Sequence, residues 1–367
     1  MKKNNLYYII AGESSGDLHG SEIIKSIQNI NSNIHFRGLG GPLMQASGLK
    51  SLENFKRLAV MGFLEILKDL PFFLNLKKKI ISDICNKNPE KIILIDYPGF
   101  NLSLAKTLKQ HTDIPILYYI SPQVWAWKEK RASIIQKYID KLIVIFPFEK
   151  PWFKQKKIDV EYFGHPLIDI YQNQLSHENQ PKNSISFFPG SRLQEIRKHV
   201  PIIKKIIENL LIKHTGLTFI VSLAKGVDQK ELDILSKINN VFIDTSESLN
   251  TFNNSSVSII ASGTATLECA LSNTPLIVIY KTSFISWFIA KMFLKSPFIS
   301  IVNILAQKKI VSEYIQYNIN IKTICLEIID LLNNSTLIKK DLNNMTKTLG
   351  AGNAYNNSAK YIIDFKK

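Results

Sequence analysis

The chain is a succession of short apolar runs, rich in isoleucine and bounded by amphipathic stretches. In the first half the runs fall at 6–11, 34–38, 91–96, 115–120 and 141–146; in the second at 185–188, 217–222, 241–244, 257–262 and 275–280. Runs of this length read as buried strands, and their alternation with helical periodicity predicts parallel sheets covered by helices. The pattern is played twice, so the expected architecture is α/β with two Rossmann-like domains. Residues 171–184 are polar, contain Pro181 and lack periodicity, which makes them the expected linker. The domains are expected at 1–172 and 181–352.

One unit stands out. Ile185 to Phe188 is a strand, Pro189-Gly190-Ser191 a tight turn, and Leu193, Ile196, Val200, Ile203, Ile207 and Leu210 recur at helical spacing. A helix start carries unpaired N–H groups and the positive end of the dipole. Gly190 allows close backbone approach, Ser191 can cap, and Arg192 can fork onto phosphate oxygens. The expected guest is a phosphate.

Composition narrows this picture. At 367 residues, with 45% hydrophobic and 21% charged residues, the chain suits two globular cores and excludes a disordered one. Cys85, Cys269 and Cys325 lie far apart and fit no metal-ligand spacing, so a reducing cytoplasm is expected. The first apolar run is too short for a signal sequence and is followed by Glu13 and Asp17. The apolar segments 58–76 and 284–294 are broken by Glu65, Lys68, Asp69 and Lys291, so no span is expected. A net charge of +16 allows nucleic acid, an anionic membrane surface or anionic small molecules as partners, or simple drift in composition. The lysines are scattered and form no stripe, so no nucleic-acid partner is expected. Only five of the 46 basic residues are arginine, and Arg131, Arg192 and Arg197 fall in the stretches singled out here.

In open α/β sheets, ligands sit beyond the carboxyl ends of the strands. After the first run comes Gly12-Glu13-Ser14-Ser15-Gly16-Asp17-Leu18-His19, a glycine-rich turn into a helix. It matches G-x-S-x-G, but an elbow of that kind ordinarily follows several earlier strands, so a nucleophilic Ser14 is the minor reading. Glu13, Asp17 and His19 are candidates for acceptor contact or proton transfer. Asp96, ending the 91–96 run, is the best candidate for a general base; the competing reading is a carboxylate capping the next helix. Ser262, Gly263, Thr264 and Thr266 offer a backbone turn, hydroxyls and N–H groups to phosphate. Glu268, one helical turn on, is placed to accept from ribose hydroxyls. Together with Gly190, Ser191 and Arg192 they point to a nucleoside diphosphate. No P-loop, G-x-G-x-x-G or Asp-x-Asp pattern is present, and no metal or cofactor is expected. Residues 58–76, with Met61, Phe63, Leu64, Leu67, Phe72 and Phe73 followed by Lys77 to Lys79, and residues 284–298 are amphipathic with basic flanks. Such stretches pack in cores more often than on bilayers, yet they fit an anionic membrane surface.

The motifs in order are AGESSGD (11–17), GLGGPLMQASG (38–48), LAVMGFLEIL (58–67), DYPGFN (96–101), SPQVWAWKEKR (121–131), FPFE (146–149), FGHPLID (163–169), PGSRLQEI (189–196) and ASGTATLECAL (261–271). Together they resemble the lipid-A-disaccharide synthase family from residue 6 to about residue 316. The resemblance implies a GT-B glycosyltransferase, two Rossmann-like domains facing a cleft, with residues 353–367 packing back on the first domain. It implies UDP-2,3-diacylglucosamine as donor, lipid X (2,3-diacylglucosamine 1-phosphate) as acceptor, and work at the cytoplasmic face of the inner membrane. A second copy of the chain is a further partner to consider. Asn303, Glu313 and Gln316 fall where the family's last nucleotide contacts would be, although Ser300-Ile301-Val302-Asn303 lacks the expected proline. Position 99 is Gly where some members carry a second acid, leaving Asp96 alone in its loop. The rivals are a UDP-sugar 2-epimerase on the same fold and a serine hydrolase using Ser14.

Overall fold

A computed structural model describes residues 5–54, 70–126, 129–171, 183–283 and 296–366. The chain forms two compact units, 1–169 with 351–367, and 170–350. The first unit carries a seven-stranded sheet of β1 (Leu6–Ala11), β2 (His35–Leu39), β3 (Leu49–Ser51), β4 (Lys91–Ile95), β5 (Ile116–Tyr119), β6 (Lys141–Val144) and β7 (Val160–Tyr162). Its order is β3-β2-β1-β4-β5-β6-β7. The second carries β8 (Ser184–Phe188), β9 (Thr218–Ser222), β10 (Val241–Asp244), β11 (Val257–Ala261), β12 (Leu276–Tyr280) and β13 (Ser312–Ile315), in the order β10-β9-β8-β11-β12-β13. The pairings are parallel throughout.

The ten apolar runs all appear as strands, and the two parallel α/β domains are as the hydrophobic pattern requires. The pattern missed β3, β7 and β13, whose sequences are LKS, VEY and SEYI. All three are edge strands. An edge strand is covered incompletely, so it needs no unbroken apolar run. Central strands such as β4 and β11 are buried along their whole length because helices cover both faces.

In each unit the order reverses at one place. In the first it lies between β1 and β4, where Ala11 pairs with Ile95. In the second it lies between β8 and β11, where Phe188 pairs with Ile260. Neighbouring strands there send their following helices to opposite sides, which opens a crevice at their carboxyl ends.

The last helix, Ala354–Asp364, belongs to the first unit and packs on the helix Ser14–Ile30. The buried Lys91 donates from Nζ to Ile362 O and Ile363 O, both at 2.6 Å. Those are carbonyls of a helix C-terminus, where a cation is favoured. At the other end of the same helix, Asp169 Oδ2 accepts from Tyr355 N at 2.9 Å. Among the described residues no helix is long and apolar enough to cross a membrane.

Candidate active site

At the first switch point, Gly12 and Glu13 leave β1 beside Asp96 and Tyr97 leaving β4. Asp96 and Tyr97 are both left-handed, with φ of 41° and 50°, and Ile120 at the end of β5 has φ 61°. Non-glycine residues in that region cost on the order of 1–3 kcal/mol each and persist only where surroundings fix them. The surroundings here are specific. Fully buried Asn101 donates from Nδ2 to Ile95 O at 3.1 Å and Asp96 O at 2.8 Å, the Tyr118 hydroxyl also donates to Asp96 O, and Asp96 N reaches Tyr119 O at 3.3 Å. A Cβ at Gly12 would lie 2.4 Å from the Tyr97 ring, so glycine there is what lets the ring lie across the turn.

The helix Pro98–Leu108 has Tyr97 as its N-cap and no side-chain cap. The capping alternative for Asp96 is thus not what the geometry uses. Burial, reinforced by the charge of Glu13, pushes the Asp96 carboxyl up to about 7. A carboxylate held rigidly at the end of a buried strand, with its pKa near neutrality, is suited to accept a proton.

The other residues of this turn separate. Glu13 is exposed at the N-cap of the Ser14 helix. Ser14 is in regular helix, and the backbone strain lies at Asp96 and Tyr97 instead, contrary to what a nucleophile elbow requires. Asp17 turns inward and accepts from Leu43 N at 3.1 Å and Met44 N at 3.0 Å, holding the short helix Pro42–Ala46. His19 is buried and its Nδ1 lies 2.7 Å from the Tyr355 hydroxyl; burial pulls its pKa down to about 4. That buried ring ties the last helix to the helix Ser14–Ile30.

Sequence reading missed Glu149. It is fully buried, accepts from Trp125 Nε1 at 3.1 Å, Ile145 N at 3.1 Å and Phe146 N at 3.0 Å, and burial pushes its carboxyl up to about 7. It fastens the turn 121–126 to the end of β6. The only signal was the acid ending FPFE, and nothing in its spacing marks it as buried.

Of the proposed membrane-facing residues, Met61, Phe63, Leu64 and Leu67 lie outside the described residues, as do most of 284–298 and of the linker. Phe72 and Phe73, on the helix Leu70–Lys87, are partly buried against the first core, with Phe73 6.1 Å from Phe100. The apolar side chains which that helix shows to solvent are Leu70 and Leu74.

At the second switch point, the turns 189–192 and 262–264 leave adjacent strands side by side. Gly190 has φ 117°, a conformation that favours glycine, and a Cβ there would lie 2.8 Å from Glu195 Oε2. Arg192, rather than Ser191, is the N-cap of the helix Leu193–Lys213, and no side chain caps it. The Arg192 side chain is 72% exposed; Nη1 is 3.6 Å from Glu195 Oε1. Glu195, at N3, reaches back to the backbone of Ser191 and Arg192, half of a capping box.

Gly263 is the N-cap of the helix Thr264–Leu271, again without a side-chain cap. A Cβ at Gly263 would meet only Ala261 O, at 4.0 Å, so the chain itself does not require glycine there. Thr264 is exposed beside it. Ser262 Oγ donates to Ile299 O at 3.4 Å. Thr266, expected at phosphate, is fully buried and donates to Gly263 O at 2.7 Å, so its hydroxyl shapes the turn from beneath. Glu268 is half-buried; burial raises its pKa, while hydroxyls of Tyr171 and Ser248 bond to it.

Asn303 departs most from the expectation. It is fully buried, its Oδ1 accepts from Ile310 N (2.8 Å) and Val311 N (3.0 Å), and its Nδ2 donates to Val311 O (2.9 Å) and Glu313 Oε1 (2.7 Å). An amide has two donors and one oxygen, and here all are used within the loop. Glu313 in turn accepts from Ile299 N and Ser300 N. Gln316 pairs both ways with Thr282, Oε1 accepting at 3.1 Å and Nε2 donating at 3.3 Å. Among the described residues these side chains bond to the loops around them. Among the described residues no three His, Cys, Asp or Glu side chains group as metal ligands would.

Two parallel α/β units, one with a strained turn holding a near-neutral carboxylate and one with two helix starts beside an exposed arginine, give the chain a fold of the GT-B class. The fold agrees: a UDP-GlcNAc 2-epimerase from Neisseria meningitidis bound to UDP-GlcNAc (TM-score 0.61, 13% identity, 98% of each chain covered) and the calicheamicin glycosyltransferase CalG4 (TM-score 0.61, 12% identity, 99% of this chain and 98% of that one) share it. Within that class, the family model for lipid-A-disaccharide synthetase matches residues 7–364. Lipid-A-disaccharide synthase 1 of Legionella pneumophila is 35% identical over 349 residues, covering 92% of this chain and 91% of that one. The chain belongs to the lipid-A-disaccharide synthase family.

Proposed function

We propose that this chain joins UDP-2,3-diacylglucosamine to 2,3-diacylglucosamine 1-phosphate, giving a β-1,6-linked disaccharide 1-phosphate and UDP. Family membership over nearly the whole chain carries the substrate class. The observation that carries the chemistry is the Asp96 turn, with its strain, its buried supports and a carboxyl at about 7. In the reaction, Asp96 takes the proton from the acceptor 6-hydroxyl as that oxygen attacks the anomeric carbon and the bond to the β-phosphate breaks, inverting the centre. UDP leaves onto the second switch point. Gly190, Ser191, Gly263 and Thr264 supply N–H and hydroxyl donors there, Arg192 a cation, and Glu268 the ribose contact. Thr266, Asn303, Glu313 and Gln316 shape that site without touching the ligand. Glu13 acts by its charge, keeping the Asp96 pKa high.

Acylated, anionic substrates fit a basic chain that works at the cytoplasmic face of a membrane. Leu70 and Leu74, exposed on the helix that also carries Lys77 to Lys79, support contact with the lipid surface. The epimerase reading rests on fold likeness at 12–13% identity alone. The deciding experiment mixes purified protein with donor and acceptor and follows the disaccharide 1-phosphate by mass spectrometry. UDP released without acceptor, with no disaccharide formed, overturns the proposal in favour of the epimerase.

A further inference from the structure

His199 lies on the core-facing stripe of the helix Leu193–Lys213 and is fully buried. Its Nδ1 is 2.7 Å from Pro189 O, and Lys281 N donates to its Nε2 at 2.8 Å. A carbonyl can only accept and a backbone N–H can only donate, so these partners fix one neutral tautomer: Nδ1 carries the proton and Nε2 is bare. One imidazole therefore joins the turn after β8 to the end of β12.

The consequence lies in the Pro189–Gly190 peptide. No cis peptide bond occurs among the described residues, and in a trans peptide the C=O and N–H point in opposite directions. With Pro189 O held inward by His199, Gly190 N–H is turned away from the ring. A donor aimed in advance needs no reorganisation when an anion arrives. Without the ring, the turn keeps its glycine, whose left-handed φ of 117° is one of several conformations open to it.

We infer that His199 is a positioning residue for the donor's diphosphate, setting the direction of the Gly190 N–H and joining that turn to the loop after β12. This rests on the reading of Gly190 to Arg192 as the diphosphate site. Burial pulls the His199 pKa down, as do the charges of Lys198 on its own helix and Lys281 after β12. Arg192 and Glu195 lie one to two turns earlier on the same helix, and the Tyr280 ring is 5.9 Å away. Protonation would put a second N–H against Lys281 N–H, so the clamp fails on the acid side only.

The test is UDP titration by calorimetry across pH 4–8 with the wild type, His199→Ala, His199→Gln and Ile203→Ala. Glutamine offers one donor and one acceptor but does not titrate. At pH 8 we expect His199→Ala to bind UDP about tenfold more weakly, a loss of about 1.4 kcal/mol, and His199→Gln to recover most of it. Ile203→Ala opens a cavity in the same helix; it lowers the melting temperature and leaves UDP affinity within about twofold, which separates positioning from stability. As pH falls, wild-type affinity drops relative to His199→Gln, and because UDP's own titration is common to both, the ratio reports the histidine. If His199→Ala does not fold, that ratio carries the test. Absence of UDP binding by the wild type overturns the proposed nucleotide site itself. UDP binding by the wild type with equal affinity in His199→Ala, or parallel wild-type and His199→Gln profiles, overturns the inference alone.

Discussion

The two switch points have the same topology and opposite chemistry. At the first, the chain holds non-glycine residues in left-handed backbone, buries an acid until its pKa approaches 7, and closes the turn with Asn101, Tyr118 and the Tyr97 ring. At the second, left-handed backbone is given to Gly190, and what faces outward is an exposed arginine, an exposed threonine and two helix starts whose N-cap residues make no side-chain cap, the first of them braced from behind by Glu195. The difference fits what each end of the proposed reaction needs. A base must be desolvated and rigid before substrate arrives, which stores strain and polar burial in the apo chain. A leaving-group site must offer donors that only the ligand satisfies, which leaves it open.

Replacing Asp96 by Asn breaks the comparison most severely. Turnover should fall by about 10²–10⁴-fold, the usual contribution of a positioned acid or base, while UDP affinity stays as it was. In the wild type, kcat/KM rises as pH climbs through about 7, because only the ionised carboxylate accepts a proton. Stability runs the other way. The folded pKa lies above the unfolded one, so this group's contribution is fully present below the unfolded carboxylate pKa and is lost as pH rises through about 7. At pH 8 the Asn variant should therefore melt higher than the wild type while being inactive. Normal turnover in Asp96→Asn would sink the assignment of the base.

Arg192→Ala makes the complementary break. A charge-assisted bond to phosphate is worth about 1.5–3 kcal/mol, so UDP should bind about 10–100-fold more weakly. The side chain is 72% exposed and its nearest acid is 3.6 Å away, so the melting temperature should not move. Calorimetry and a thermal melt on one preparation test both halves, and unchanged UDP affinity removes Arg192 from the site.

Legibility in the sequence divided along the same line. Apolar runs gave ten strands, nine of them interior to their sheets, because continuous burial forces continuous hydrophobicity; β3, β7 and β13 stayed hidden because edges relax that demand, while the edge strand β10 keeps an apolar run, VFID, without being buried. The strand-to-helix turns at Gly190 to Arg192 and Gly263 to Thr264 were legible as turns because an apolar run followed by glycine and then a helical period marks them locally. The supports were not. Glu149, His199 and the full saturation of Asn303 depend on contacts between residues far apart in sequence or on burial, and no local spacing encodes either. Asp17 and Thr266 looked like ligand contacts for the same reason, since a polar side chain at a turn reads alike whether it points out or in.

One substitution made at both glycines sharpens the contrast. Gly12→Ala puts a methyl 2.4 Å from the Tyr97 ring and should cost about 1–3 kcal/mol by overpacking. Turnover should fall with it, since Tyr97 follows Asp96 directly. Gly263→Ala meets nothing of the chain closer than 4.0 Å, so chemical denaturation should find it as stable as the wild type, with UDP affinity reduced several-fold by a methyl on the ligand side. Equal stability losses at the two sites would mean that the second turn is as closed as the first.

The smallest effect separates two threonines of one motif. Thr266 is fully buried and donates to Gly263 O at 2.7 Å; Thr264 is exposed at the first position of the same helix. Valine keeps the shape of either and removes only the hydroxyl. Thr266→Val should lose about 0.5–1.5 kcal/mol of stability, the net value of one hydrogen bond, with UDP affinity nearly unchanged because that hydroxyl faces the protein. Thr264→Val should do the reverse, keeping stability and weakening UDP several-fold. If Thr266→Val weakens UDP more than Thr264→Val does, the inward hydroxyl must turn outward on binding, and the second switch point is then built, like the first, by rearranging a closed turn.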